Sequence, residues 1–206
     1  MKILVVDNYD SFTYNLVQYI REIVNYPVDV FRNDAIPLNE VELYDIIVLS
    51  PGPGIPSESG ITPEVISTYY KTKSILGVCL GHQAIGEAFG GTLHNLDRVF
   101  HGVATEIRVT KPDVLFEGLP QQFPAGRYHS WIVEKDKFPN CLEIIAEDHT
   151  DTIMALRHKE YNVRGVQFHP ESILTPDGKT ILKNFFNYSV KYQEQLFERK
   201  NNRSLA

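Results

Sequence analysis

The chain has 206 residues, enough for one domain with a sizeable core, and a formal net charge of −6. That sign argues against nucleic acid as a partner, which needs a basic face. Cys79 and Cys141 make no disulfide framework, no apolar stretch approaches the roughly 18 residues of a membrane span, and Met1-Lys-Ile-Leu runs into an apolar segment without a leader-like pattern, so a reducing cytoplasm is the expected setting.

Ile3–Val6 is a short continuous apolar run, as in a parallel strand covered on both faces. Asp10 or Ser11 can cap a helix whose apolar positions Phe12, Leu16, Tyr19, Ile20 and Ile23 recur at helical spacing. Asn25-Tyr-Pro ends it. Val28–Phe31 and Asp45–Ser50 read as the next two strands, the second running into Pro51-Gly-Pro-Gly54. Thr62-Pro63-Glu64 opens a helix with proline at its first position. Ser74–Val78 is a fourth strand and Leu80–Phe89 the helix after it. Strand and helix alternate up to this point. The pattern predicts an α/β fold, doubly wound on a mostly parallel sheet, with ligands at the carboxyl ends of its strands. Val103–Val109, Leu142–Glu147, Thr152–Arg157 and Val163–Phe168 are strand-like with short connections, and antiparallel pairing added to the sheet is expected there. Lys179–Tyr192 is a closing amphipathic helix with Ile181, Leu182, Phe185 and Phe186 on its core face. No linker marks a domain boundary. One domain over 1–192 and a C-terminal tail over 193–206, reading as a fraying helix end, are expected.

Three strand ends carry unusual residues. At the first, Ser50-Pro-Gly-Pro-Gly-Ile-Pro56 lacks the spacing of a phosphate loop. It reads either as a rigid turn or as a loop that aims a backbone N–H into a crevice, as an oxyanion site requires. At the second, Gly77-Val-Cys-Leu-Gly-His-Gln83 places Cys79 on a strand-to-helix corner. There the positive end of a helix dipole favours a thiolate, whereas a lone cysteine elsewhere is more often plain core. At the third, Gly165-Val-Gln-Phe-His-Pro-Glu171 puts His169 and Glu171 two apart, facing the same way if 166–169 is a strand. Pro170 ends such a strand. A carboxylate at that spacing can hold the imidazole in one tautomer and leave its other nitrogen as a base. Alone, His-Pro-Glu reads more often as a turn with a solvated carboxylate. With the cysteine corner and the glycine loop, it completes the parts of a Cys-His-carboxylate acyl-transfer site. His82, His94, His101, His129, His149 and His158 lack ligand spacing, so no metal is expected, and Cys141 reads as structural.

Taken together, Ser50-Pro-Gly-Pro-Gly54, Gly77-Val-Cys-Leu-Gly-His-Gln83 and Gln167-Phe-His-Pro-Glu171 resemble class I, triad-type glutamine amidotransferases. Asp7-Asn-Tyr-Asp-Ser-Phe-Thr-Tyr-Asn15, Arg127-Tyr-His-Ser130 and His169-Pro-Glu-Ser-Ile-Leu174 are similar to the stand-alone glutaminase subunits of anthranilate synthase and aminodeoxychorismate synthase. The resemblance implies a flavodoxin-like sheet, Cys79 as nucleophile, His169 as base and then acid, and Glu171 as its orienter. It implies an oxyanion hole from the N–H groups of Gly54 and Leu80, with Gly52 and Pro53 lining the same pocket. Gln83 and the backbone at Ser130 and Trp131 would hold the amino-acid end of L-glutamine. Trp131 stands where relatives often have an aliphatic residue. No cofactor is implied in this chain, and the ammonia acceptor would be chorismate on a separate component I. Anthranilate synthase is favoured over the folate-branch enzyme or a subunit shared by both. A partner-free γ-glutamyl or peptide cysteine hydrolase, and a non-catalytic binding module, are the readings of other classes.

Overall fold

The computed structural model describes residues 1–204; the last two residues of the expected tail lie outside the described residues. The first half of the chain forms β1 (Ile3–Asp7), α1 (Thr13–Ile23), β2 (Val28–Arg32), β3 (Ile46–Leu49), α2 (Thr62–Tyr69), β4 (Ser74–Val78) and α3 (Leu80–Ala88). The second half forms β5 (Leu93–Asn95), β6 (Val103–Val109), β7 (Gln122–Arg127), β8 (Trp131–Val133), β9 (Leu142–Asp148), β10 (Ile153–His158), β11 (Val163–Val166) and α4 (Gly178–Ser204). A 9-stranded sheet runs in the order β2-β1-β3-β4-β11-β10-β9-β6-β7. From β2 to β11 the strands are parallel, and from β11 onward the pairings are antiparallel.

Alternation along β1 explains the double winding. Ile3 and Val5 pack with Leu16 and Ile20 of α1 and with Ile181 and Phe185 of α4. Leu4 and Val6 point the other way, onto Val65 and Ile66 of α2 and Ala84 and Ile85 of α3. Both faces of the strand are therefore dry, as its uninterrupted apolar run requires.

Four features differ from the sequence-based expectation. Helix α1 starts on Phe12 with no side-chain cap; the Asp10 carboxylate instead accepts the Phe12 N–H, 2.7 Å away, just ahead of the helix. β7 carries Pro124 and Gly126, which argue against a strand, and is tolerated because it is the sheet's edge and pairs only with β6. β5 and β8 pair as a separate two-stranded sheet too short to leave a periodic signal. β11 stops at Val166 and lies parallel to β4, not only antiparallel to its other neighbour β10. Its last rung to β4 is the Cys79 N–H donating to the Val166 carbonyl at 2.8 Å, after which β4 turns into α3 and no partner continues. At the C-terminus, α4 runs unbroken past Gln193 to Ser204.

Candidate active site

Cys79 occupies the corner between β4 and α3 with φ 51° and ψ −98°, a conformation that costs a non-glycine residue roughly 1–3 kcal/mol. Two backbone bonds clamp it: its N–H donates to Val166 and its carbonyl accepts from the Gln83 N–H at 3.0 Å. Close packing does the rest. A Cβ on Gly81 would lie 2.5 Å from the Leu49 carbonyl oxygen, and one on Gly77 would lie 2.4 Å from that of Gly81. Only glycine lets α3 lie so close to β3 and β4. Burial of a few aliphatic side chains, at about 1.5–3 kcal/mol each, offsets the strain at the elbow.

His169 and Glu171 are brought together by a turn rather than by strand alternation, because β11 ends at Val166. The His169 N–H donates to the Gly126 carbonyl, and the Thr175 hydroxyl donates to the His169 carbonyl at 2.7 Å. These bonds fix the backbone so that Nδ1 of His169 lies 2.6 Å from Oε1 of Glu171, with both residues 2% exposed. A carboxylate can only accept here, so Nδ1 carries the hydrogen. Nε2 has no protein hydrogen bond among the described residues and is the nitrogen left for chemistry. Burial alone would lower the basicity of this ring. The Glu171 carboxylate, and after it the Cys79 sulfur, outweigh burial and hold His169 well above the ordinary imidazole value. Tyr128 and Phe12 pack edge-on against the ring, with centroids 4.9 and 5.9 Å away. Asp10 adds negative charge nearby; burial raises its carboxyl above the usual range, against the Phe12 N–H and the His169 ring, which lower it.

The Ser50–Gly54 loop is tied down by Asn8. The Asn8 N–H donates to the Ser50 hydroxyl at 2.8 Å and its Nδ2 to the Ser50 carbonyl at 2.9 Å. Its Oδ1 accepts from Asn33 and Thr62. One buried amide therefore joins the carboxyl ends of β1, β2 and β3 to the start of α2. Gly54, at φ +75°, takes a left-handed turn at the end of the loop.

These elements enclose a cleft of about 230 Å³ lined by Gly52, Pro53, Gly54, Cys79, Gln83, Ser130 and Trp131. Larger hollows lie elsewhere, such as one of about 380 Å³ between Val109 and Gln121, but hold no paired nucleophile and base. Leu80 is not in the cleft wall; it is buried as the first residue of α3. His169 and Glu171 lie buried off the cleft wall, with the Cys79 sulfur close enough to act on the ring. The amide of Gln83 is already engaged, donating to the Trp131 carbonyl at 2.9 Å, so it shapes the Ser130–Trp131 segment as well as bordering the cleft. Cys141 is a free cysteine packed on the α2–α3 side of the core. No group of three or more His, Cys, Asp or Glu able to hold a metal occurs among the described residues. Sequence reading assigned no part to Val99, Phe100, His101, Tyr128 or His129, which complete the wall, nor to Gln167, whose Nε2 lies 3.6 Å from the Cys79 sulfur. Tyr128, His129 and Gln167 stand within the motifs Arg127–Ser130 and Gln167–Glu171, but nothing in the linear chain gave them individual roles.

The glutamine amidotransferase class-I family model matches residues 4–188. Anthranilate synthase component 2 of Pseudomonas aeruginosa is 46% identical over 190 residues, covering 89% of this chain and 94% of that protein. The aminodeoxychorismate/anthranilate synthase component 2 of Bacillus subtilis is also 46% identical, over 89% of this chain and 94% of its own length. The bifunctional protein TrpGD of Thermotoga maritima is 48% identical, but this chain spans only 32% of it. A solved structure from Thermoplasma acidophilum, 28% identical, superposes with a TM-score of 0.85 over 95% of this chain and 97% of its own. Sequence, fold and the elbow at Cys79 agree: the chain belongs to the class-I glutamine amidotransferases.

Proposed function

We propose that this chain is the glutaminase subunit of anthranilate synthase, releasing ammonia from L-glutamine for a chorismate-using component I. The observation that carries the reading is an elbow cysteine on the cleft wall with a carboxylate-held histidine buried behind it, its ring within the influence of the cysteine sulfur. With the Cys79 thiol proton transferred to Nε2 of His169, the sulfur attacks the side-chain amide carbon, and the C=O electron pair moves onto oxygen. The N–H groups of Gly54, on the cleft wall, and of Leu80, whose side chain is buried but whose backbone directly follows Cys79, would receive that oxyanion, each donor being worth about 10²–10³ in rate. Collapse re-forms the carbonyl and expels ammonia as His169 passes its Nε2 proton to the leaving nitrogen, with Glu171 holding the ring. Water then attacks the thioester, His169 takes its proton, and glutamate leaves as the sulfur is released. Nucleophile, acid–base group and donors are all residues of this chain, so the reaction needs no cofactor in it. Gly52 and Pro53 would form the wall beside the reacting amide. Ser130 and Trp131, held by Gln83, would meet the amino-acid end of glutamine.

The relatives named anthranilate synthase component 2 support a separate synthase subunit as partner. No helix of the described residues is long and apolar enough to cross a membrane, which suits a cytoplasmic enzyme. The deciding experiment pairs the chain with a component I and identifies the aromatic product by mass. Cys79→Ser is expected to abolish glutamine-supported synthesis while ammonium salts still support it. Glutamine-supported turnover by that variant would overturn the nucleophile assignment. An aminodeoxychorismate product would move the chain to the folate branch, and release of an amine from γ-glutamyl compounds without ammonia from glutamine would make it a partner-free hydrolase.

A further inference from the structure

The mechanism leaves unexplained a line of buried polar side chains that ends on the nucleophile. Gln167 is fully buried, with Nε2 3.6 Å from the Cys79 sulfur and Oε1 3.3 Å from Nε2 of Gln83. The same Gln83 nitrogen lies 2.9 Å from the Trp131 carbonyl. That carbonyl lies 3.0 Å from Nδ1 of His129, whose Nε2 lies 3.1 Å from Nε of Arg127. Arg127 is wholly buried and paired with Asp148 at 2.5 Å. Asp148 in turn accepts from the Thr150 and Thr152 N–H groups.

The direction of each bond follows from its end groups. A guanidinium only donates, so Nε2 of His129 must accept, and the ring is neutral with its hydrogen on Nδ1. Burial, and then the Arg127 charge, support this by pushing His129 down to about 3. Nδ1–H therefore donates to the Trp131 carbonyl. A carbonyl only accepts, so Gln83 must also turn its NH₂ toward it. Gln167 must then offer its oxygen to Gln83, which leaves its NH₂ for the sulfur. Each amide could be flipped if considered alone; the network removes that freedom.

We propose that Arg127, His129, Gln83 and Gln167 form a hydrogen-bond relay joined at the Trp131 carbonyl, which accepts from His129 on one side and from Gln83 on the other, and that the relay presents the Gln167 amide N–H to the Cys79 sulfur and favours its thiolate. Gln167 touches the reacting atom and is a catalytic residue. His129 and Arg127 are positioning residues that act through it. The inference rests on Cys79 being the nucleophile. The charged and titratable groups beside the sulfur or on its cleft are His169, with Glu171 and Asp10 beside it, and His101, Tyr128 and His129 on the wall; apart from His129 itself, the variants below leave them in place.

The test is alkylation of Cys79 by iodoacetamide in the full chain, without glutamine or partner, read by mass spectrometry of the Cys79 peptide from about pH 5 to about pH 9. This reads the sulfur directly, so failure of the relay is distinguishable from failure of the glutaminase reading. Gln167→Leu is expected to slow alkylation near neutrality roughly tenfold and move the profile to higher pH. His129→Leu, which does not touch the sulfur, is expected to move it the same way by a smaller amount. His129→Gln can accept from Arg127 and donate to Trp131, and is expected to keep the native profile. A native profile in Gln167→Leu, or identical profiles in the two His129 variants, overturns the relay. If Gln167→Leu does not fold, the His129 pair decides.

Discussion

Glu171 sets its carboxylate 2.6 Å from Nδ1 of His169, in a place where both side chains are closed off from water. The pairing does two things at once: it fixes the tautomer and supplies the negative charge that keeps the ring basic despite burial. Glu171→Gln keeps an acceptor but removes the charge. Burial then dominates, and the His169 pKa is expected to move down, toward the behaviour of the buried, charge-free His82. Glutaminase kcat is expected to fall about 10²-fold with a smaller change in KM. Ring-nitrogen NMR titration and a pH–rate profile check both. An unmoved titration would show that the carboxylate is a bystander.

Gly81 is where the elbow is most sensitive to volume. A methyl group there would sit 2.5 Å from the Leu49 carbonyl oxygen and 2.8 Å from the Leu49 Cβ, neither at the end of a flexible side chain. Gly81→Ala must therefore push α3 off β3. A loss of about 1–3 kcal/mol in stability is expected, with glutaminase activity falling further as Cys79 moves. Urea midpoints of the variant and native chains measure the first part. An unchanged midpoint would mean that the helix and strand are less tightly engaged than the packing indicates.

His82 is expected to make the fold acid-sensitive. It is fully buried on α3, neither ring nitrogen makes a well-formed hydrogen bond among the described residues, and burial, opposed only by the adjacent Gly165 backbone, lowers its pKa to about 4. An unfolded histidine takes its proton near the ordinary value of about 6.5. Between those values the unfolded chain holds a proton that the folded chain does not. Its contribution is therefore expected to be full above about pH 6.5 and to be lost as the pH falls toward about 4, by up to roughly 3 kcal/mol. His82→Leu removes the buried base and is expected to flatten that decline. Urea midpoints at about pH 7 and about pH 4.5 test it. An equally steep fall in the variant would place the acid sensitivity elsewhere, with His129 the next candidate.

The strand–helix alternation through Phe89, the corner at Cys79 and the family motifs could be read in the linear chain. They depend on local spacing: apolar residues every second or every third to fourth position, proline at a helix start, glycines around a cysteine. Even the pairing of His169 with Glu171 was visible, although a turn anchored by Thr175 achieves it rather than the strand geometry the spacing implied. Only the tertiary structure decided that Pro124 sits in an edge strand, that β11 lies parallel to β4, and that Asn8 ties the Ser50–Gly54 loop to three strand ends. The same is true of the Gln83 and Gln167 amide orientations between the Trp131 carbonyl and the Cys79 sulfur. Each of these is a hydrogen bond or ladder between residues far apart in sequence. Whether a polar group faces water or a partner there depends on which segments the folded sheet places side by side, and no local spacing records that.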